Sequence, residues 1–208
     1  RYFCFGNWYL NVNGRSYQQY FATLPAAVRN TLARKGKQAR SKARIEVVTG
    51  RDGLQSALAA YHQIYNASWK VPEPSPGFID GLAAMCADKG WLRLGVLRVD
   101  NEPAAAQIWI VSAGTAAIYK LAYDSRFAKL SVGSLLTAHL MEHVIDRDLV
   151  REVDYLTGDD GYKKDWMSDR RERFGVSALN RRTVKGLALI ARHFAARLVK
   201  RALRHQTS

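Results

Sequence analysis

With 208 residues, 48% hydrophobic and 11% aromatic, the chain is long enough to bury one substantial core, and its composition excludes a disordered or collagen-like polymer. It contains no stretch of about eighteen apolar residues, which excludes a transmembrane helix. The formal charge of +14 invites polyanions, but its distribution restricts that reading. Residues 1–51 hold ten Lys or Arg against one acid, and residues 183–208 hold six against none. Residues 52–182 are near neutral, with sixteen basic side chains against seventeen acidic. Attraction to phosphate or anionic lipid therefore belongs to the two ends.

The chain opens on Arg1 instead of Met and shows no signal-peptide core, which suggests the N-terminus of a fragment and leaves upstream targeting open. Cys4 and Cys86 form one pair at most and lack metal-type spacing, so a reducing cytoplasm is the expected compartment.

Aromatic and alternating residues from Trp8 to Val12, followed by Asn13 and Gly14, predict a strand and a turn. Tyr17, Tyr20, Phe21, Leu24, Val28 and Leu32 recur at spacings of three and four, and Pro25 divides this helical stretch in two. The second helix is basic, carrying Arg29, Arg34, Lys35, Lys37 and Arg40, with Lys42 and Arg44 beyond it. RIEVV reads as a short strand and Leu54 to Trp69 as an amphipathic helix, which Pro72, Pro74 and Pro76 end in an extended loop.

Strands are expected at Trp91–Val99, Ala104–Val111 and Ala116–Tyr123, joined by tight turns into an antiparallel meander. Simple alternation puts Tyr119 and Tyr123 on one face, as packing or pocket wall. Ser131–Arg147 is an amphipathic helix, Val153–Thr157 a buried strand, Tyr162–Met167 a helical turn and Phe174–Leu179 a last strand. Val184–Leu203 is a basic amphipathic helix that either packs on the body or lies on an acidic membrane surface. His139 and His143 match an H-x-x-E-H pattern. They fall on the apolar stripe with Leu135, Leu136 and Leu140, so core packing or a subunit contact is expected there and no metal.

The segment IYKLAYDSRFAKLSVGSLLTAHLMEHVID resembles the stretch of GNAT acyltransferases in which a strand leads into a pyrophosphate-gripping turn, here Arg126 to Ser134. The turn carries only part of that superfamily's Gln/Arg-x-x-Gly-x-Gly/Ala pattern. VDYLTGDDGYKKDWMSDRRERFG, NTLARKGKQ and SWK resemble the Fem-like or CelD/BcsL-type branch, over most of residues 1–182. The resemblance implies an α+β (mixed α/β) fold, a mostly antiparallel twisted sheet flanked by helices. It divides the chain into a basic segment at 1–51, the remnant of a preceding half; an acyltransferase domain at 52–182; and the basic helix at 183–208. It also implies an acetyl-CoA or other acyl-thioester donor, from coenzyme A or an acyl carrier protein. The implied acceptor is a sugar or amine of surface polysaccharide or cell-envelope metabolism.

The implied roles fall on particular residues. Backbone at Leu121 or Ala122 stabilises the oxyanion, and Arg126, Lys129, Ser131, Gly133 and Ser134 hold the donor diphosphate at a helix N-terminus. Tyr162, a phenol with an ordinary pKa of about 10, protonates the leaving thiolate. Asp124, Asp159 or Asp160 takes the acceptor's proton, and Lys163 orients an anionic acceptor. Plainer readings stand beside these: Gly133 and Ser134 as a helix-opening turn, Asp159 to Gly161 as a solvated turn, and Tyr162 with Trp166 as a packing pair. Two rival functions remain: aminoacyl transfer from tRNA held by the basic helix, and a non-catalytic nucleic-acid or membrane-binding module. The expected location is cytoplasmic, with a peripheral membrane contact through the basic ends.

Overall fold

A computed structural model describes residues 1–192 and 194. In chain order the elements are β1 (Tyr2–Asn11), α1 (Tyr17–Thr23), α2 (Ala26–Ala39), β2 (Ala43–Val48), α3 (Leu54–Asn66), α4 (Pro76–Asp88), β3 (Leu92–Val99), β4 (Glu102–Ser112) and β5 (Thr115–Tyr123). A 3-10 turn (Ser125–Leu130), α5 (Val132–Glu142), a π turn (His143–Arg147), β6 (Glu152–Asp154), a 3-10 turn (Gly161–Asp165) and β7 (Asp169–Gly175) follow. The strands form one sheet in the order β2-β3-β4-β5-β6-β1-β7, antiparallel from β2 to β5 and parallel between β5 and β6.

Local chemistry explains the element ends. Ser16 accepts from the Gln19 amide while Gln19 reaches back to the Ser16 amide, a capping box that starts α1. Pro25 then separates α1 from α2, as its spacing predicts. Pro76, expected to prolong a loop, instead occupies the first turn of α4, where its missing N–H has no helical partner to lose. Ile79, Ala83, Cys86 and Ala87 recur at helical spacing along α4 and are buried. The last strand forms at Asp169–Gly175, earlier than the expected Phe174–Leu179, and it is built from the charged run DRRERFG.

The chain divides into two compact units, Phe5–Arg171 and a smaller one made of Arg1–Cys4 with Glu172 onward. In the smaller unit Phe3 meets Phe174 edge to face at 6.1 Å, and Arg1 lies 4.0 Å over the Phe174 ring. Residues 184–192 and 194 are helical; Arg197, Leu198, Lys200, Arg201, Ala202 and Arg204 of the expected C-terminal helix lie outside the described residues.

In the larger unit, two buried clusters line opposite faces of the sheet. One joins Leu10, Leu97, Ala105 and Trp109 to Tyr20, Leu32, Leu136 and Leu140 from α1, α2 and α5. The other joins Leu94, Val96, Ala106 and Ile108 to Tyr61, Ile64, Ile79 and Ala83 from α3 and α4. Helix α5 approaches β3 closely because Gly95 has no side chain: a Cβ there would lie 2.9 Å from Leu140 Cδ1 and 3.0 Å from Leu136 Cδ1. Each fully buried leucine in this contact contributes about 1.5–3 kcal/mol.

His139 and His143 are partly buried on α5 and the π turn, and burial lowers the pKa of each. Among the described residues, no group of three or more His, Cys, Asp or Glu side chains is placed to hold a metal ion. Cys4 and Cys86 are both free.

Candidate active site

A cavity of about 580 Å³ opens in the larger unit between β5, α5, α2, the loop after α3 and the segment after β6. Its origin is a parting of strands. β5 and β6 pair in parallel only at Thr115↔Glu152, Ala116↔Val153 and Ala117↔Asp154. Past Asp154 the chain bonds to β1 instead, with the Tyr155 amide donating to Trp8 O at 3.0 Å. β5 runs on alone on that side to Tyr123.

The parting exposes specific amides. The Asp124 amide donates to Ala104 O at 2.9 Å, and the register continues through Tyr123↔Ala105, Ala122↔Ala106 and Leu121↔Gln107. Amides alternate between the two edges of an antiparallel strand, so that of Ala122 faces β4 while those of Leu121 and Tyr123 face the gap. Of the two expected positions, Leu121 therefore presents a free N–H to the cavity. Ala122 supplies wall instead.

A register shift between Ile108 and Trp109 leaves Tyr119 as an extra residue in β5. It overturns the expected common face of Tyr119 and Tyr123. Tyr119 packs on the α3 and α4 cluster, whereas Tyr123 packs on the α5 cluster and meets Trp69 at 4.6 Å between ring centroids.

The α5 end of the cavity is held by a buried polar chain. Trp109 Nε1 donates to Gln107 Oε1 at 2.8 Å, and Gln107 Nε2 donates to Thr137 Oγ1 at 2.8 Å and Gly133 O at 3.1 Å. This fixes the first turn of α5 against β4, with Gly133 and Ser134 at the cavity wall. A Cβ on Gly133 would lie 3.3 Å from Tyr123 Cδ1, so the glycine keeps this wall open. Ser131 adopts a left-handed conformation, φ 54°, and its side chain makes no capping bond.

The other residues expected at the diphosphate are elsewhere. Arg126 is held by Asp124, Nε to Oδ2 at 2.9 Å, and by Glu102 at 3.3 Å, and it does not line the cavity. Lys129 and Ser131 do not line it either. Asp124 itself is buried, caps the Arg126 amide at 2.9 Å and pairs with the guanidinium; that hydrogen bond holds its pKa below the usual range. Its carboxylate is thus a structural cap outside the cavity, not a base inside it.

Of the acids near residue 160, Asp159 accepts from Trp8 Nε1 at 2.7 Å and from Arg170, which lower its pKa and turn it away from the cavity lining. Asp160 lines the cavity, 3.1 Å from Lys163 Nζ. Lys163 is buried and donates to Thr157 O at 2.7 Å and Gly158 O at 3.3 Å, so it braces the loop behind the wall and faces no acceptor. Tyr162, a residue 46% exposed overall, lines the cavity with its ring edge to face with Tyr155 at 5.9 Å. Burial, then Asp160, push its pKa up to about 12. Burial raises that of Tyr155 well above the usual value.

Sequence reasoning missed Lys70, Tyr155, Asp165, Gln107, Thr137 and Thr31 as wall residues. Helix α2 turns Ala27, Val28 and Thr31 to the cavity, while Arg29, Arg34, Lys37 and Arg40 are exposed and make no ion pair among the described residues. No helix among the described residues is long and apolar enough to cross a membrane.

The family described as Acetyltransferase (GNAT) domain matches residues 26–164. The sequence matches no curated protein. Among solved structures, FemX is similar at 8% identity and TM-score 0.61, covering 79% of this chain and 59% of its own. The C-terminal domain of a protein assigned as a lysylphosphatidylglycerol synthetase, from Agrobacterium fabrum, is similar at 13% identity and TM-score 0.58, covering 81% and 58%. A protein of unknown function from Bacteroides thetaiotaomicron gives 12% and 0.55, covering 78% and 55%. At these identities the likeness is one of fold, and the chain spans between half and two thirds of each structure's length.

Proposed function

We propose, for a chain that belongs to the acetyltransferase (GNAT) domain family and is on that ground an acyltransferase, that the cavity beside β5 moves an acyl group from acetyl-CoA or a longer acyl-CoA to an amine or hydroxyl acceptor. The observation that carries this reading is the parting of β5 from β6, which leaves the Leu121 amide unpaired at the cavity wall. A thioester carbonyl oxygen placed against that N–H gains a hydrogen bond that strengthens as negative charge develops on it. The first turn of α5 gives the donor diphosphate free backbone amides at Gly133 and Ser134.

The acceptor nitrogen or oxygen attacks the thioester carbon, and the carbon–sulfur bond breaks. Tyr162 gives its proton to the leaving thiolate, and Asp160 takes the proton from the acceptor. With a pKa pushed up to about 12, the phenol stays protonated at neutral pH, as a general acid requires. The acceptor class we favour is a sugar or amine of surface polysaccharide or cell-envelope metabolism. Calorimetric titration with acetyl-CoA and longer acyl-CoAs tests the donor: saturable binding is expected, weakened when Gly133→Leu fills the wall beside Tyr123. No heat with any acyl-CoA removes the reading.

One observation favours a second donor. The unpaired cations along α2 fit a phosphate backbone, as in aminoacyl transfer from tRNA, and the same charges suit an acidic acyl carrier protein or anionic lipid. Binding of tRNA that weakens steeply with salt, together with no acyl-CoA binding, selects aminoacyl transfer.

A further inference from the structure

Lys70 is the only Lys or Arg among the described residues that lines the cavity. Its ammonium has no hydrogen bond and no ion pair among the described residues; the nearest recorded partner is the Trp69 ring, 5.6 Å away. Two more ammonium groups flank it. Lys120 is already held by Glu73 at 2.8 Å, and Lys163 by two carbonyls and Asp160. The acids nearest to Lys70 are Glu73 and Asp160, so each is engaged by a different lysine. The corner holds three cations and two carboxylates, and an ammonium half out of water with no counter-ion is costly.

Strand geometry says which substrate meets this corner. Leu121 and Tyr123 point to the α5 side of β5, where the donor diphosphate finds the helix end; Lys120 and Ala122 point to the opposite side. Lys70 lines the cavity within electrostatic reach of Lys120 and is not at the first turn of α5. In the same cavity Asp160 and Asp165 present carboxylates, and Asp165 makes no hydrogen bond among the described residues.

We infer that the acceptor carries an anionic group of its own, a carboxylate or phosphate close to the nucleophilic amine or hydroxyl, and that Lys70 binds this group while Asp160 and Asp165 face the nucleophile. This rests on the acyltransferase reading of the cavity and deepens it. The electrostatics agree: burial, then the neighbouring Lys120 and Lys163, lower the Lys70 pKa, and a bound anion reverses that penalty.

The test is run without donor, so that it stands apart from the acyl-CoA titration. Calorimetry compares two matched pairs, O-phosphoethanolamine with ethanolamine and glycine with glycinamide. The first pair reports a phosphate and the second a carboxylate. One member carrying the anionic group is expected to bind about ten- to a hundredfold more tightly than its partner without it, the range of a charged hydrogen bond. Lys70→Met abolishes that preference and Lys70→Arg restores most of it. Equal binding within both pairs by the unaltered protein overturns the inference, even where acyl-CoA binds well. A Lys70→Met variant that keeps the preference but loses acetyl-CoA affinity overturns it too, by making Lys70 a donor contact. Failure of acyl-CoA to bind, with the anion preference intact, instead removes the donor reading and leaves the anion site.

Discussion

The two ends of the β5–β6 seam differ in kind. At the closed end, three residue pairs join the strands, and a polar cluster clamps β6 to its other neighbours. Asn7 Nδ2 donates to Asp154 Oδ1 at 2.6 Å, while Arg171 donates to Asn7 Oδ1 and Asp154 Oδ2 at 2.6 Å each and to Glu152 Oε1 at 2.8 Å. At the open end, Leu121 and Tyr123 face a cavity in which the Lys70 ammonium and the Asp165 carboxylate make no hydrogen bond among the described residues. The same backbone supplies stability where its hydrogen bonds are made and a reactive surface where they are not. Rigidity at one end positions unpaired groups at the other without closing over them.

The sharpest break in this comparison is Leu121→Pro. The Leu121 amide faces the gap, so proline there removes the proposed oxyanion donor without taking a hydrogen bond from the β4 ladder. Turnover is expected to fall about 100- to 1,000-fold, the effect of losing one oxyanion donor. The melting temperature should change little, and acyl-CoA should still bind. A variant that turns over normally shows that the open end supplies no amide to the reaction.

Next in size is Tyr162→Phe, expected to lower kcat about 100-fold with donor saturating. The pH profile sharpens the test. A phenol whose pKa is pushed up to about 12 remains protonated until pH approaches that value, so with both substrates saturating Tyr162 should impose no alkaline loss of kcat below about pH 10. An unchanged kcat in the variant removes Tyr162 from the mechanism and turns attention to Tyr155, 5.9 Å away and also on the wall.

The frame around the seam was more legible in sequence than the charges at either of its ends. Leu, Val and Trp content with the turn residues between them marked the meander strands, β3 and β4 of which are buried almost without a break, and the three- and four-residue spacing marked α3 and α5, because burying one helix face imposes that period directly. Helix α4 was hidden by its own first residue: Pro76 after Pro72 and Pro74 reads as loop until the spacing of Ile79, Ala83 and Cys86 is weighed. One extra residue at Tyr119 was enough to reverse the assignment of a strand face. At the site, the order of Leu121, Gly133 and Tyr162 along the chain brought each to the cavity. Charge did not transfer so simply. Asp124 and Arg126, two residues apart, neutralise each other locally, and Asp159 is captured by Trp8 and Arg170. Lys70, the cation that does reach the cavity, comes from a loop distant in sequence, where the string SWK carried a resemblance but no periodicity that would assign its lysine a role.

The smallest effect on turnover is expected where the effect on stability is large. Asp154 is buried, with a side chain 10% exposed, and receives bonds from Asn7, Arg171 and the Leu156 amide. Asp154→Ala removes an acceptor that these donors share in a site that water reaches poorly, although Arg171 keeps Glu152 and Asn7 keeps Leu156 O. The expected cost is about 2–3 kcal/mol, between a lost neutral hydrogen bond and a broken buried ion pair. For a chain of this size that corresponds to a fall of about 5–10 °C in melting temperature. Below the transition, kcat per folded molecule should stay within about twofold, because the cluster touches no wall residue that bonds the acyl group or its acceptor. A large fall in kcat with the melting temperature unchanged would show that the closed end sets the chemistry of the open end and does more than hold it in place.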